Sequence, residues 1–133
     1  MQNKPSIIEF PSNGGLEIGY LAIGENLKPV PFEIKRVFWA YYTPDSVLRG
    51  RHAHHNTEMI LIAAAGRIVV TTEINGQQPE VFILEKPNKG LYLPRLCWHT
   101  MQYSHNAVQL VIASTFYNES DYIRDYEQFK SIS

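Results

Sequence analysis

Three of the chain's five histidines stand close together between Arg49 and Glu58. The apolar residues that follow them predict a buried strand that begins at His52. Because side chains alternate along a strand, His52, His54 and Glu58 would point to the same side, with the two histidine Cα atoms about 6.5–7 Å apart. His55 would point the other way, towards solvent. Imidazoles and a carboxylate aimed into a protein interior each need a partner, since unpaired buried polar groups are costly. The pattern therefore predicts a binding or catalytic site.

Two kinds of chemistry fit these residues. The spacing of His52, His54 and Glu58, with His99 later in the chain, is that of metal-binding cupins and would suit iron, manganese, nickel or zinc. Leu96 stands where that cupin pattern has a glycine, which weakens the metal hypothesis. Alternatively the imidazoles carry protons, because histidine titrates at about pH 6.5. A ring nitrogen whose lone pair binds a metal cannot act as a base, so the two hypotheses exclude each other for any one nitrogen.

Short strands must position these groups. Glycines and prolines divide the chain into segments rich in Val, Ile, Tyr, Phe and Thr, which favour β-structure. We predict strands at 7–10, 16–23, 32–42, 52–64, 67–74, 80–86, 91–93, 97–103 and 108–116, with a hairpin turn at Asn75 and Gly76. One amphipathic segment, 118–129, predicts a helix capped by Asn118. The fold class is therefore all-β, a sandwich or small barrel with one short C-terminal helix, and its interior can enclose one small ligand.

Composition limits the classes of function. Twelve Lys and Arg against thirteen Asp and Glu give a formal net charge of −1, which argues against a general nucleic-acid binder. The single cysteine, Cys97, excludes an internal disulfide and is consistent with a reducing compartment. No apolar run is long enough to span a membrane, and the first ten residues lack the apolar region of a signal peptide. We expect one domain, 1–133, in the cytoplasm, with neither a membrane nor nucleic acid as partner.

Four segments in a specific order and spacing carry a resemblance to a known family: VPFEIKRV (30–37), RGRHAH (49–54), KGLYLP (89–94) and DYIRDY (121–126). With them the chain resembles, over roughly residues 16–129, the FdtA/QdtA-like or WxcM-like sugar 3,4-ketoisomerases that act on dTDP-4-keto-6-deoxyglucose. The resemblance implies a cupin-type, jelly-roll-like β-sandwich that forms a homodimer by exchanging strands. It also implies a reaction without a metal or an organic cofactor.

The resemblance further implies a reaction and a set of catalytic residues. The ketone of a dTDP-linked 4-keto-6-deoxyhexose moves from C4 to C3, and the product feeds deoxyamino-sugar synthesis, for example for the O-antigen of lipopolysaccharide. The two histidines of the family's His-Ala-His motif transfer protons, and they correspond to His52 and His54. We expect His54 to be the base and His52 its partner, with the reverse order open. His99 is a third candidate proton donor, or alternatively a structural histidine at a strand end.

Arginine and tyrosine side chains are expected to bind the rest of the substrate. Arg36 and Arg49 are the candidates for the diphosphate, since a guanidinium offers paired donors to phosphate oxygens. Tyr41 and Tyr42 follow one another on a predicted strand, so only one of them can face the pocket.

The sequence leaves several alternatives open. The chain departs from the family pattern at Ile18, at Phe38 and Trp39, and at Arg95, so the C4 configuration of the product is not determined. A second hypothesis is a metal-dependent cupin, a dioxygenase or an isomerase, with the four residues of the metal pattern as ligands. A third is a cupin that binds a sugar nucleotide without catalysis.

Overall fold

Short strands separated by turns make up most of the chain, as its composition predicts. The computed structural model describes residues 3–132. Its strands are β1 (Ser6–Glu9), β2 (Ser12–Gly15), β3 (Gly19–Ala22), β4 (Glu25–Asn26), β5 (Pro29–Val30), β6 (Arg36–Tyr41), β7 (Leu48–His54), β8 (Met59–Ala65), β9 (Ile68–Ile74), β10 (Glu80–Leu84), β11 (Lys89–Leu93), β12 (Cys97–Tyr103), β13 (Val108–Ala113) and β14 (Tyr122–Ile123). A 3-10 turn covers Glu119–Asp121, and helix α1 covers Tyr126–Ser131.

Two five-stranded antiparallel sheets form the body of the fold. Their strand orders are β1-β11-β8-β13-β6, the first sheet, and β10-β9-β12-β7-β14, the second sheet. The apolar core between them draws on both sheets and consists of Met59, Leu61, Ala63, Ile68, Val70, Leu84, Leu91, Leu93, Cys97, Met101, Tyr103, Ala107, Val111 and Ala113. The predicted all-β sandwich with a short C-terminal helix is confirmed. In the described part of the chain no helix is long and apolar enough to cross a membrane.

Two smaller apolar clusters attach the ends of the chain to the sandwich. Phe10, Val30 and Phe32 cover the outer face of the first sheet, where they meet Ile60 and Tyr92. At the other end of the chain Phe129 of α1 packs against Ala53 and Ile123. The second contact holds β14 beside β7, so the C-terminal segment becomes part of the second sheet.

The register of the second sheet brings the histidines together. His99 on β12 lies opposite His52 on β7, and Tyr122 on β14 lies opposite His54. The close approach of β7 to β12 needs Gly50, which has a φ of +85°, because a Cβ there would lie 2.8 Å from the carbonyl oxygen of His99.

Three predicted elements differ from the structure. The single strand at 52–64 is wrong, because a turn separates β7 from β8 and the two strands belong to different sheets. The strand at 16–23 is instead the second half of a hairpin made by β2 and β3. The helix at 118–129 is also wrong. Asn118 does cap a turn, but it is the short 3-10 turn, and the chain then extends as β14 before α1 begins.

The predicted turn after β9 is confirmed. The Gln77 amide donates to the Ile74 carbonyl across Asn75 and Gly76, and Gly76 has a φ of +85°. Strand β12 also has the predicted bounds.

Candidate active site

A cavity of about 430 Å³ opens between the two sheets. Side chains from β6, β7, β8, β12, β13 and β14 surround it, together with two residues outside the strands. The lining residues are Phe38, Trp39, Ala40, Tyr41, Thr43, Arg49, Gly50, His52, His54, Met59, Leu61, His99, Met101, Tyr103, Gln109, Val111, Tyr122 and Arg124.

The three predicted catalytic residues meet at one end of this cavity. The ring centroid of His52 lies 5.0 Å from that of His54 and 4.7 Å from that of His99, and the rings of His54 and His99 are 6.2 Å apart. His54 and His99 are buried, and His52 is partly buried. We call this group the histidine end of the cavity.

Backbone carbonyls fix the tautomers of two of these rings. His52 Nδ1 lies 3.0 Å from the Gly50 carbonyl oxygen, and His99 Nδ1 lies 3.0 Å from the Cys97 carbonyl oxygen. A carbonyl only accepts, so each Nδ1 carries a proton and donates it. In the neutral ring Nε2 then keeps its lone pair.

His54 has a carboxylate partner instead. Its Nδ1 lies 3.0 Å from Asp121 Oδ2, so that nitrogen donates as well. The other nitrogen, Nε2, is buried and has no hydrogen-bond partner within residues 3–132. His54 therefore presents a lone pair without a partner at the wall of the cavity, while its opposite side is anchored.

Asp121 is itself held by the turn that separates β7 from β8. The Asn56 amide donates to Oδ1 at 2.7 Å, and the Thr57 hydroxyl donates to Oδ2 at 2.5 Å. Burial acts to raise the pKa of Asp121, but these hydrogen bonds and that of His54 outweigh it and lower the pKa below its ordinary value. The carboxylate is therefore ionised at neutral pH and can stabilise a positive charge on His54.

Burial keeps the three imidazoles neutral. It lowers the pKa of His52 to about 4, with the neighbouring His54 adding to the effect. Burial and then His99 lower the pKa of His54 to about 4, and burial and then His52 lower the pKa of His99 to about 3. At neutral pH all three rings are unprotonated at Nε2, so each can accept a proton.

The predicted arginines occupy different positions. Arg49 lines the cavity, whereas Arg36 does not. The Arg36 guanidinium packs over the rings of Phe38 and Tyr117, at 5.2 and 5.7 Å, and its Nε is buried without a hydrogen-bond partner in the described chain. Its charge is a smaller cause, after burial, of the lowered pKa of His54.

The two predicted tyrosines also differ. Tyr41 lines the cavity. Tyr42 does not, is 87% exposed and has a φ of +58°, and its ring meets that of Tyr41 edge-on at 5.0 Å. The expectation that only one of them faces the cavity agrees with this geometry.

Glu58 lies outside the cavity, so its predicted alignment with His52 and His54 is wrong. The turn after β7 carries it to the other sheet, where its Oε1 accepts a hydrogen bond from the Tyr92 hydroxyl at 2.5 Å. Among residues 3–132 no group of three or more His, Cys, Asp or Glu side chains is arranged to hold a metal ion. The ligand set of the metal hypothesis is therefore not assembled.

Several cavity residues were not singled out from the sequence. The ring of Tyr122 lies 4.4 Å from that of His54 and 5.0 Å from that of His52, and the Arg124 guanidinium lies 4.3 Å above Tyr122. Both residues belong to the 121–126 motif that carries part of the family resemblance, and that motif is the signal that could have singled them out. The helical periodicity of the longer segment obscured that signal.

The chain matches one protein family along almost its whole length. The family model described as "FdtA: WxcM-like, C-terminal" matches residues 3–133. A curated protein of Aneurinibacillus thermoaerophilus, named TDP-4-oxo-6-deoxy-alpha-D-glucose-3,4-oxoisomerase, is 37% identical over 131 residues, which are 98% of this chain and 91% of that protein.

Solved structures agree with this match. A 3,4-ketoisomerase from Helicobacter canadensis has a TM-score of 0.90 and 38% identity, with 97% of this chain and 96% of that chain covered. A mutant of the 3,4-ketoisomerase QdtA from Thermoanaerobacterium thermosaccharolyticum, in complex with TDP-4-keto-6-deoxyglucose, has a TM-score of 0.91 and 30% identity, with 98% and 94% covered.

Proposed function

Because the chain belongs to the FdtA family of WxcM-like proteins, we propose that it is a sugar-nucleotide 3,4-ketoisomerase that converts dTDP-4-keto-6-deoxyglucose to a dTDP-3-keto-6-deoxyhexose. The structural observation that supports this most is the buried Nε2 of His54. It has no hydrogen-bond partner in the described chain, and it belongs to a ring that lines the cavity and is anchored by Asp121.

His54 acts as the base. The hydrogen on C3 is acidic because it lies next to the C4 ketone, and Nε2 of His54 removes it as a proton. The electron pair of the C3–H bond moves to the ketone oxygen, which gives an enediolate across C3 and C4. The imidazolium that forms is stabilised by the Asp121 carboxylate, which also holds the ring in the correct orientation and tautomer, as a buried carboxylate beside a catalytic histidine generally does.

The reaction ends when the proton of the C3 hydroxyl passes to the oxygen on C4 and C4 itself receives a proton from an imidazolium at the histidine end. The C3 oxygen then becomes the ketone, and no electrons leave the substrate. His52 lies between His54 and His99. Its Nδ1 proton is bound to the Gly50 carbonyl, so it relays a proton or donates to the enediolate oxygen only after its Nε2 has accepted one. His99 is the third candidate, and its Nε2 likewise donates only a proton that it has first accepted. The choice among these rings decides the face of C4 that is protonated.

Arg49 and Tyr41 bind the substrate outside the reacting carbons. Both line the cavity, and Arg49 supplies the positive charge that a diphosphate needs. Arg36 stands outside the cavity, so of the two arginines predicted for the diphosphate we retain Arg49. Burial and His99 are the larger causes of the lowered pKa of His54, and the charge of Arg36 adds a smaller contribution in the same direction.

A homodimer that exchanges strands explains the exposed apolar surface. On the β2–β3 hairpin Leu16 is 95% exposed and Ile18 is 86% exposed, and Trp39 is exposed on β6, one of the two edge strands of the first sheet. Exposed apolar side chains and an unpaired strand edge favour pairing with a second copy. Sedimentation at a twofold molecular mass is the expected result, and a monomer at micromolar concentration would contradict the dimer.

The product is an α-hydroxy ketone, which an aminotransferase can convert to an amino sugar. We propose this place in deoxyamino-sugar synthesis, with O-antigen assembly as one destination, and a cytoplasmic location. The family resemblance supports the place in synthesis, and the single, free Cys97 is consistent with the cytoplasmic location.

An NMR time course with dTDP-4-keto-6-deoxyglucose in heavy water tests the function. The wild-type protein is expected to convert the 4-ketone to a 3-ketone and to place deuterium at C4. The same spectra report the configuration of the product. Binding of TDP with neither turnover nor exchange of the C3 hydrogen would overturn the assignment and favour a non-catalytic sugar-nucleotide-binding protein.

A further inference from the structure

The cavity has a second polar end, away from the histidines. It is lined by Arg49, Tyr103 and Gln109, and the last two are each only 2% exposed. Tyr103 lies four residues beyond His99 on β12, so their Cα atoms are about 13 Å apart along the strand. We call these three residues the glutamine end. The proposed mechanism makes no use of Tyr103 or Gln109.

The orientation of the Gln109 carboxamide follows from its neighbours. The Tyr103 hydroxyl lies 2.5 Å from Gln109 Oε1. Burial raises the pKa of Tyr103 to about 12, although the charge and hydrogen bond of Arg49 act to lower it. The phenol therefore keeps its proton at neutral pH, and with Arg49 donating to its oxygen, that proton goes to Gln109. The carboxamide oxygen thus faces Tyr103, and Nε2 faces away.

Gln109 Nε2 lacks a strong acceptor. Its hydrogen-bond partner among the described residues is the sulfur of Met101, at 2.8 Å. A thioether is a weak acceptor, and an amide nitrogen has two protons to donate. A buried amide in this state gains much from an oxygen atom that a ligand brings into the cavity.

The charge around this end selects the kind of oxygen. The residues that line the cavity, all of them in the described part of the chain, include Arg49 at this end, Arg124 beside Tyr122 at the histidine end, and neither Asp nor Glu. A guanidinium together with a neutral N–H donor suits a phosphoryl oxygen, which is anionic and accepts several hydrogen bonds. Nothing in this lining repels an anion.

We propose that Gln109 donates through Nε2 to the diphosphate of the substrate, beside Arg49, and that Tyr103 is a positioning residue that holds the carboxamide in this orientation. This inference rests on the proposed function, because it assumes a sugar nucleotide with its hexose at the histidine end. The inference adds Gln109 to Arg49 as a residue that makes the cavity bind a diphosphate in preference to an uncharged ligand.

Binding of TDP and of thymidine to variants tests the proposal. Gln109→Leu is expected to raise the Kd for TDP and the KM for the sugar nucleotide about tenfold to a hundredfold, which is the usual effect of a hydrogen bond to a charged group. The loss falls on KM rather than on kcat, and thymidine binds as it does to the wild type. Gln109→Glu has the same shape and is expected to weaken TDP binding further, because its carboxylate repels the phosphates.

Tyr103→Phe keeps the ring and removes the donor that orients Gln109. Its expected effect on the Kd for TDP is smaller than that of Gln109→Leu, in the same direction and again confined to KM. Gln128→Leu on the exposed face of α1 is the matched control and leaves the Kd for TDP unchanged.

Two results would overturn the proposal. One is unchanged TDP binding in Gln109→Glu and in any folded Gln109→Leu protein. The other is an equal loss of thymidine binding, which would make Gln109 a contact of the base. Turnover by the wild-type protein distinguishes a failure of this inference from a failure of the proposed function. A wild type that isomerises the substrate supports the proposed function even if Gln109 does not contact the diphosphate.

Discussion

Two hydrogen-bonded pairs of ionisable side chains in the described chain, one buried and one partly buried, differ in one respect. In the second sheet Asp121 binds His54, and the second nitrogen of that ring lies buried at the cavity without a partner in the described chain. On the outer face of the first sheet the Tyr92 hydroxyl donates to Glu58, in an apolar cluster that includes Phe10. In the first pair, His54 keeps a free lone pair on Nε2 that can accept a proton. In the second, the Tyr92 hydroxyl is bound to the Glu58 carboxylate, and the contact supports packing. Burial and charge alone would not distinguish a catalytic pair from a structural one.

The largest effect is expected from His54→Ala. It removes the base, so kcat for ketone transfer should fall about 10³-fold, within the range that general base catalysis contributes. Heavy-water NMR measures the rate, and thermal unfolding confirms that the variant folds. His105→Ala, in an exposed turn, is the control and should keep the wild-type rate. Full turnover by His54→Ala would mean that both pairs are structural.

Asp121→Asn is expected to lower kcat on the order of 10²-fold. An asparagine can donate its amide to Nδ1, which moves the ring proton to Nε2 and takes away the lone pair that accepts the substrate proton. Asp125→Asn is a matched control, because Asp125 caps α1 and asparagine caps a helix equally well. An Asp121→Asn protein with the wild-type rate would show that the carboxylate does not set the tautomer of His54.

The ionisable groups of the two sites limit stability at opposite ends of the pH range, the histidines at acidic pH and Tyr92 at basic pH. The pKa values of His52 and His54, about 4, lie below the ordinary value of 6.5, so the unfolded chain binds more protons between these values. The free energy of unfolding therefore falls as the pH drops from about 6.5 to about 4, whereas kcat/KM stays level until the pH approaches 4. Denaturant titrations and initial rates across this range measure the two curves, and a parallel fall of both from pH 6.5 would contradict the neutral rings.

Tyr92→Phe is expected to have the smallest effect, and only on stability. Burial and then Glu58 raise the pKa of Tyr92 above its ordinary value of 10.0, so this pair stabilises the fold up to about pH 10 and less above it. Removing the hydroxyl should lower the free energy of unfolding at pH 7 by about 1 kcal/mol, while the rate of isomerisation stays unchanged. A loss of rate in this variant would contradict a purely structural role and would return Glu58 to the candidate site residues.

Local patterns were sufficient for most strands and for the histidine motif. The bounds of β12 follow from alternation and from the flanking residues, and His52 and His54 follow from their own spacing. Both kinds of information lie within a few residues of chain.

The turn between β7 and β8 could not be predicted in this way. It depends on Asp121, which accepts hydrogen bonds from Asn56 and Thr57 more than sixty residues away. The same carboxylate points inward, towards His54, and the next two residues, 122–123, pair with β7 in an extended conformation. The helix predicted over 118–129 therefore does not form. Gln109 and Tyr103 were missed for a related reason, since a polar residue in an apolar strand acquires a meaning only when the facing sheet is known.

Gly50 gives this site a constraint of another kind. Its absent side chain leaves the room in which β7 meets the His99 carbonyl, and β12 shifts register at that same point. Even the Cβ of an alanine there would clash with the His99 carbonyl oxygen and force β7 and β12, which carry the histidines, apart. A directed-evolution library could therefore vary the residues that line the cavity to accept new sugars, but it should keep glycine at position 50. The absence of a side chain there sets the distance between the two strands, and with it the distance between the histidines that exchange protons.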